Sequence, residues 1–135
     1  MSRKHTLWAT LVVLAHLVVG VAHDMAHKDL VVELTTFQNG FVNLFYLGLP
    51  IVAAVLVWTP LARSGAALLA LSMAASLVFG IWFHFIFVSP DHVAHLPAGN
   101  QQTLFQVTAA LMVLVNAAGA WLGLRLLRAA RSSAS

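Results

Sequence analysis

Four long apolar stretches, separated by short polar segments, set the pattern of this chain. They run from about residue 7 to 22, 37 to 58, 66 to 88 and 104 to 127. A helix needs about 20 consecutive apolar residues to cross a bilayer. The pattern therefore predicts an all-α integral membrane protein in which residues 1–135 form a single bundle of four transmembrane helices.

A few polar residues recur at a fixed offset inside this apolar sequence. The first set comprises His16, Ala26–His27, Thr35 and Phe37–Gln38. The same residues return 68 positions later as His84, Ala94–His95, Thr103 and Phe105–Gln106. Residues 8–63 and 76–131 align without a gap and share 9 identities in 56 positions. A fixed offset is typical of a duplicated structural unit. We therefore expect two parallel two-helix repeats, about 8–63 and 76–131, with the first and third helices facing each other and equivalent residues at equal depth.

Charge separates the two ends of the predicted helices. The bases at one end are Arg3, Lys4, Arg63, Arg125, Arg128 and Arg131, and the acids in the loops at the other end are Asp24, Asp29, Glu33 and Asp91. The positive-inside rule then predicts that both termini are cytoplasmic. We expect a multi-pass protein of the bacterial inner (plasma) membrane, surrounded by the lipid bilayer. Its bases form a rim at the membrane and not a surface for nucleic acid.

The first stretch has a second interpretation, as a signal peptide. Two bases, an apolar core and the small residues Gly20–Val21–Ala22 fit that pattern. Cleavage after Ala22 would remove His16, whose counterpart in the repeat is His84, so we expect the stretch to remain as a helix. The chain has no cysteine, which excludes disulfides and thiolate ligands.

Histidines form a stripe in the first repeat, with an equivalent set in the second. At about 100° per helical residue, His16, His23 and His27 point within roughly 40° of one another. Ionisable residues within apolar helices tend to be functional because their burial in lipid is costly. The first set also contains Asp24, and the second set contains His84, Asp91, His92 and His95. One Asp and one His are exchanged between the sets, because Asp91 stands in the place of His23 and His92 in the place of Asp24.

The first interpretation of these stripes is a b-type haem. His16 and His84 would supply one axial imidazole each, near the middle of the bilayer. His27 and His95 could hold a second haem about 16 Å nearer the outer surface. The aromatic residues of the third helix would supply apolar packing, but only one base, Lys28, is available outside for the haem propionates.

The second interpretation is a non-haem metal site at the outer face. His23 and His27 are one helical turn apart, a spacing that lets one helix chelate a metal ion. Imidazole and carboxylate ligands suit Zn, Cu, Fe or Mn. Gln38 and Gln106, which begin the second and fourth helices at the same end, would hold the second nitrogen of the bound imidazoles. Further candidate ligands are Asp91, His92 and His95, with Asp24 in reserve. This site does not need His16 and His84, which could then form a proton or metal path inward.

Two interpretations need no metal. Because histidine titrates near neutral pH, the line of histidines could relay protons or serve a quinone site, with Asn43, Tyr46 and Asn116 as further polar groups. Alternatively, buried histidines could simply join helices by hydrogen bonds.

The sequence leads to one main prediction. The chain binds a transition-metal centre, haem b or a non-haem ion, through paired histidines of the first and third helices toward the outer face. Redox chemistry or electron transfer follows, with a quinone or a protein as redox partner, as in a membrane oxidoreductase or a component of one. The alternatives are a metal or proton transporter and a non-catalytic accessory subunit of a larger membrane complex. The partner could also be a second copy of the chain, in a homodimer.

Overall fold

The computed structural model describes residues 2–132, with the backbone alone for residues 130–132. Its four helices, each long and apolar enough to cross a membrane, are α1 (Arg3–Asp29), α2 (Thr36–Leu56), α3 (Ala62–Ile86) and α4 (Gln102–Ser132). The predicted four-helix, all-α architecture is confirmed, and the described residues form no strand. The side chains of Ala130 and Arg131, which the repeat aligns with residues 62 and 63, lie outside the described part.

The helices pack in a ring that leaves α1 and α3 diagonally opposed. α1 packs along α4, α4 along α3, and α3 along α2, whereas α1 meets α2 mainly over Leu49–Leu56. At Gly123 the backbone of α4 comes so close to α3 that a Cβ atom would lie 2.5 Å from Ala70 N. Small residues allow such close approach in membrane bundles. The diagonal arrangement of the first and third helices agrees with the sequence prediction.

Two apolar clusters hold the bundle, one toward each end. The larger contains Ala9, Val13, Ala53, Val57, Ala66, Leu69, Met73 and Leu126, and the smaller contains Ala26, Leu30, Val32 and Phe105. The smaller cluster lies where the chain forms the connections 30–35 and 87–101, and we call this the loop end of the bundle.

Pro50 explains a local distortion in α2. Proline has no N–H to donate to the carbonyl four residues earlier, and its ring crowds that carbonyl. Immediately before Pro50 the helix widens into a π-helix over Val42–Gly48. The freed carbonyl oxygen of Tyr46 instead accepts a hydrogen bond from His16 Nε2 at 2.7 Å. His16 thereby joins α1 to α2.

The end of α3 differs from the sequence prediction. The pair Ser89–Pro90 predicts that the third helix stops or kinks there and that a new helix begins with Ser89 as its N-cap. The repeat predicts that His84, Asp91 and His95 lie on one helical stripe. Instead α3 ends in a π-helix, Trp82–Ile86, and residues 87–101 form turns. The residue before a proline disfavours helical backbone, and Ser89 Oγ accepts from Asp91 N at 3.2 Å in a local turn. The chain therefore folds back over the end of α3.

Candidate metal centre

Three histidines from two helices meet at the loop end. His23 and His27 lie one turn apart near the end of α1, and His84 lies in the π-helical end of α3. One ring nitrogen from each lies within 4.8 Å of the other two. All three residues are buried, with exposed fractions of 5%, 7% and 4%. The structure thus brings together two histidines of the first predicted repeat and one of the second.

Hydrogen bonds determine which ring nitrogen carries the hydrogen in His27 and His84. His27 Nδ1 lies 3.1 Å from the Val32 carbonyl oxygen, and His84 Nδ1 lies 3.0 Å from the Asp91 carbonyl oxygen. A carbonyl oxygen can only accept, so both Nδ1 atoms must carry the hydrogen and donate it. In the neutral rings, Nε2 therefore carries the lone pair.

His23 also carries its hydrogen on Nδ1, and its acceptor is the hydroxyl of Thr108. His23 Nδ1 lies 2.8 Å from the Thr108 hydroxyl oxygen, and that hydroxyl donates to the Leu104 carbonyl oxygen at 2.6 Å. Since a hydroxyl has one hydrogen, Thr108 accepts from His23 Nδ1. His23 Nε2 is buried and has no hydrogen-bond partner among the described residues. Metal-binding histidines usually have this arrangement, in which the second ring nitrogen donates to a fixed acceptor.

A tight turn after α1 places the acceptor of His27. Val32 N donates to the His27 carbonyl oxygen at 3.0 Å, and Val31 N donates to the Lys28 carbonyl oxygen at 3.2 Å, the two bonds of a Schellman turn. The turn requires left-handed backbone at Val31, whose φ is 55°. Glycine usually takes this position, and a β-branched residue there is strained. The strained turn is next to the cluster, where it directs the Val32 carbonyl at His27.

Asp91 is the carboxylate that the folded-back chain brings to the cluster. It is 4% exposed. Its Oδ1 lies 3.1 Å from His27 Nε2 and 3.3 Å from His84 Nδ1, although neither contact has the angles of a good hydrogen bond. Gln38 Nε2 donates to Asp91 Oδ2 at 3.4 Å. Val93 N donates to the His84 carbonyl oxygen at 3.0 Å, which fixes the turn against α3.

The contact between Asp91 and His27 joins a carboxyl oxygen to an imidazole nitrogen. Burial alone would raise the pKa of the Asp91 carboxyl, but the adjacent His27 and His84 imidazoles outweigh burial and hold this pKa below its usual range. His27 Nδ1 donates to the Val32 carbonyl oxygen, so the nitrogen that lies 3.1 Å from Asp91 Oδ1 is Nε2. A proton between these two atoms, or a metal ion bound by both, would make this contact favourable.

Phe105 packs against all three rings. Its ring centroid lies 4.4 Å from that of His23, 4.8 Å from that of His27 and 5.5 Å from that of His84. Phe105 is fully buried, whereas Phe37, its counterpart in the predicted repeat, is 69% exposed. The aromatic side chain excludes water from one side of the cluster and limits the rotation of the imidazoles.

The spacing of the nitrogens suits one ion after a small contraction. Ligands about 2.0–2.1 Å from a tetrahedral metal ion lie roughly 3.4 Å from one another. Nitrogens at most 4.8 Å apart would each move inward by no more than about 0.8 Å to reach that geometry. Three imidazoles would leave a fourth position for Asp91 or for an added ligand.

A cavity of about 310 Å³ adjoins the cluster and extends along α2. His23, His27, His84 and Asp91 line one part of it. Other wall residues are Phe41, Asn43, Tyr46, Phe79 and Gly80. Phe41 and Phe79 stack with ring centroids 4.2 Å apart and an interplanar angle of 4°. The cavity is thus mainly apolar, with polar groups beside the cluster and along α2.

His16 lies apart from this cluster. Its ring packs 3.9 Å from the Tyr46 ring, and Tyr46 Oη donates to the His16 carbonyl oxygen at 3.2 Å. Gly20 makes room for this contact, because a Cβ atom there would lie 2.5 Å from Tyr46 Cε1. His16 and His84, expected as an axial pair, therefore have different partners in the structure.

The remaining predicted ligands lie at the surface of the loop end. His95 is exposed and His92 partly so, with ring centroids 5.0 Å apart. Asp24 is exposed and pairs with Lys28 at 2.6 Å. Gln106 Nε2 donates to the Val93 carbonyl oxygen at 2.9 Å, so it contacts the turn and not an imidazole.

Gln38 has two roles at once. It forms a capping box with Thr35 at the start of α2, in which Thr35 N donates to Gln38 Oε1 at 2.8 Å and Gln38 N donates to Thr35 Oγ1 at 3.2 Å. Its side-chain Nε2, which the capping box does not use, donates to Asp91 Oδ2. The sequence prediction expected Gln38 near His27, and the structure links the two through the carboxylate.

Thr108 and the Val32 carbonyl were not found by sequence reasoning. The position of Thr108, three residues after Phe105 on α4, indicates the same helix face. A threonine inside a spanning helix ordinarily bonds to its own backbone, so this signal alone would not identify a partner for histidine.

The chain matches no known protein family, no curated protein sequence and no solved structure.

Proposed function

We propose that this chain is an integral membrane metalloprotein that binds one transition-metal ion through His23, His27 and His84. One observation carries the proposal: each ring donates its Nδ1 hydrogen to a fixed acceptor, and the three imidazoles converge within 4.8 Å. Asp91 supplies a negative charge beside the ion. Buried imidazoles that only joined helices would need no common point of convergence.

A non-haem ion fits this geometry better than haem b. A haem takes its two axial imidazoles from opposite faces of a wide planar ring, whereas these three imidazoles each place one nitrogen within 4.8 Å of the other two. An imidazole and carboxylate ligand set suits Zn, Cu, Fe or Mn. A site with three protein ligands and an open position is typical of catalytic metal centres, since structural sites usually close all four positions.

The cavity supports redox chemistry with a small membrane-soluble partner. Phe41 and Phe79 give the cavity an aromatic wall against which an apolar ring could lie. Asn43 adds an amide to the same cavity, so the carbonyl oxygens of a quinone would have polar groups within it. We propose a quinone or quinol as the redox partner and a role as a membrane oxidoreductase or a component of one.

A static centre is better supported than a metal-transport path. Transport would need several ligands along a path deeper in the bundle, and in the described part of the chain His16 Nδ1 is the one buried histidine nitrogen outside the cluster that has no hydrogen-bond partner. The division of bases and acids supports cytoplasmic termini in a bacterial inner membrane, with the loop end outside.

The metal content of the detergent-purified protein, measured by elemental mass spectrometry, tests the proposal. We expect near-stoichiometric metal in the wild type and in His92→Ala and His95→Ala, which serve as matched controls. His23→Ala, His27→Ala and His84→Ala should each lose most of it. A visible spectrum separates haem from non-haem iron. Metal-free wild type after growth in metal-supplemented medium, or full retention in the three cluster variants, would contradict the assignment.

A further inference from the structure

A groove at the opposite end of the bundle combines positive charge with an apolar floor. It lies between the beginning of α1 and the end of α4 and has a volume of about 930 Å³. Lys4, His5, Arg125 and Arg128 line it, and no acidic residue does. All four acids of the chain belong to positions 24, 29, 33 and 91, at the loop end. Among the lining residues that the structure describes, no acidic side chain therefore offsets the charges of Lys4 and Arg125.

The aromatic residues of the groove indicate the depth of a membrane interface. Trp8 and Trp121 both line it, and they are 54% and 57% exposed. Tryptophan concentrates at the level of lipid headgroups. The Arg125 guanidinium lies 4.3 Å from the centre of the Trp121 ring. Stacking uses the face of the guanidinium and leaves N–H donors along its edge to bind an oxyanion.

Below the aromatic residues the groove is lined by Leu11, Val12, Ala15, Ala118 and Leu122. This floor extends inward along α1 and α4, in the direction that an acyl chain takes in a bilayer. A free phosphate would use only the basic rim, and a hydrocarbon would use only the floor. An occupant that satisfies both must carry an anionic headgroup and a long apolar chain.

We propose that this groove is a binding site for one anionic phospholipid. The phosphate lies against Lys4 and Arg125, and an acyl chain follows the apolar floor. Basic pockets between transmembrane helices on the cytoplasmic side are known to hold such headgroups. The site is more than a simple balance to the negative end of the α4 dipole, because Lys4 comes from α1 and faces the same groove. It does not depend on the metal centre at the loop end.

Native mass spectrometry of the delipidated protein tests the proposal with two probes that differ only in headgroup. These are dioleoyl-phosphatidylglycerol and dioleoyl-phosphatidylcholine. We expect the wild type to retain one phosphatidylglycerol and to prefer it over phosphatidylcholine. Because each base near a membrane surface contributes a roughly fivefold effect, the double variant Lys4→Ala/Arg125→Ala should lose about 30-fold in that preference.

Arg63→Ala is the matched control, since Arg63 is a base at the same end of the bundle that does not line the groove. It should keep the wild-type preference. Ala118→Phe adds bulk to the floor and should reduce retention of both lipids. Equal retention of the two lipids by the wild type, or an unchanged preference in the double variant, would overturn the proposal. Metal content, measured on the same samples, should be unchanged throughout, so failure here leaves the metal centre untouched.

Discussion

Replacing Thr108 with valine tests how His23 is held. The change keeps the shape of the side chain and removes the hydroxyl that accepts the His23 Nδ1 hydrogen at 2.8 Å. Thr108 is 4% exposed, so water cannot easily replace it. Leaving one buried donor without a partner costs about 1–3 kcal/mol in the free energy of unfolding.

The metal affinity should fall as well, because the ring is no longer held with Nε2 toward the cluster. Loss of such a hydrogen-bond partner typically weakens metal binding about 10- to 100-fold. That range corresponds to about 1.4–2.8 kcal/mol in binding free energy. Thr108→Ser, which keeps the hydroxyl, should retain most of the affinity.

Metal titration of chelator-stripped protein in detergent would measure the affinity, and denaturant unfolding of the same sample would measure stability. Thr6→Val is the matched control, because Thr6 is also 4% exposed and its hydroxyl donates to the carbonyl four residues earlier, Ser2 O at 3.3 Å, with no histidine involved. We expect it to leave the metal affinity unchanged. Wild-type affinity in Thr108→Val would refute the argument that Thr108 fixes the His23 tautomer.

Two further predictions concern the turn after α1 and the cavity. Val31→Gly should stabilise the protein by about 0.5–1 kcal/mol, because it relieves the left-handed valine while adding some freedom to the unfolded chain; an unchanged or lower unfolding midpoint would argue against strain at φ 55°. Gly80→Leu should weaken binding of decyl-benzoquinone at least 10-fold, because the leucine side chain fills the cavity. The fold has room for this change, because a Cβ atom at Gly80 meets only His84 Cδ2, at 4.0 Å. Gly40→Leu, where a Cβ atom has nothing within 4 Å, should bind it like the wild type, and equilibrium dialysis would show whether the two variants differ.

The helices were predictable because apolar length and helical period are local properties. The same period correctly placed His16, His23 and His27 on one buried face of α1. The exact partners of His84 were not predictable from the offset of 68 residues. That offset assumes equal continuation of the first and third helices, but α1 runs on to Asp29, whereas α3 ends at Ile86.

Long-range hydrogen bonds account for the rest of what the sequence could not reveal. Thr108 meets His23 across 85 positions of sequence, and Gln38 meets Asp91 across 53. Sequence periodicity shows which face of a helix is buried, but not which residue of another helix lies opposite. The bond from His16 to the Tyr46 carbonyl depends on Pro50, from which the sequence alone predicts only a bend in the second helix.

The order in which the ligands are synthesised has a consequence for when the centre can form. His23 and His27 leave the ribosome long before His84, Asp91 and Thr108. A chain that ends after its second helix would offer an ion two imidazoles, without the third imidazole, the carboxylate or the threonine that fixes His23. Tight metal binding would therefore begin only once the second pair of helices has packed against the first. A bound ion would mark a finished molecule and, by linking α1 to α3 across the bundle, would oppose its disassembly.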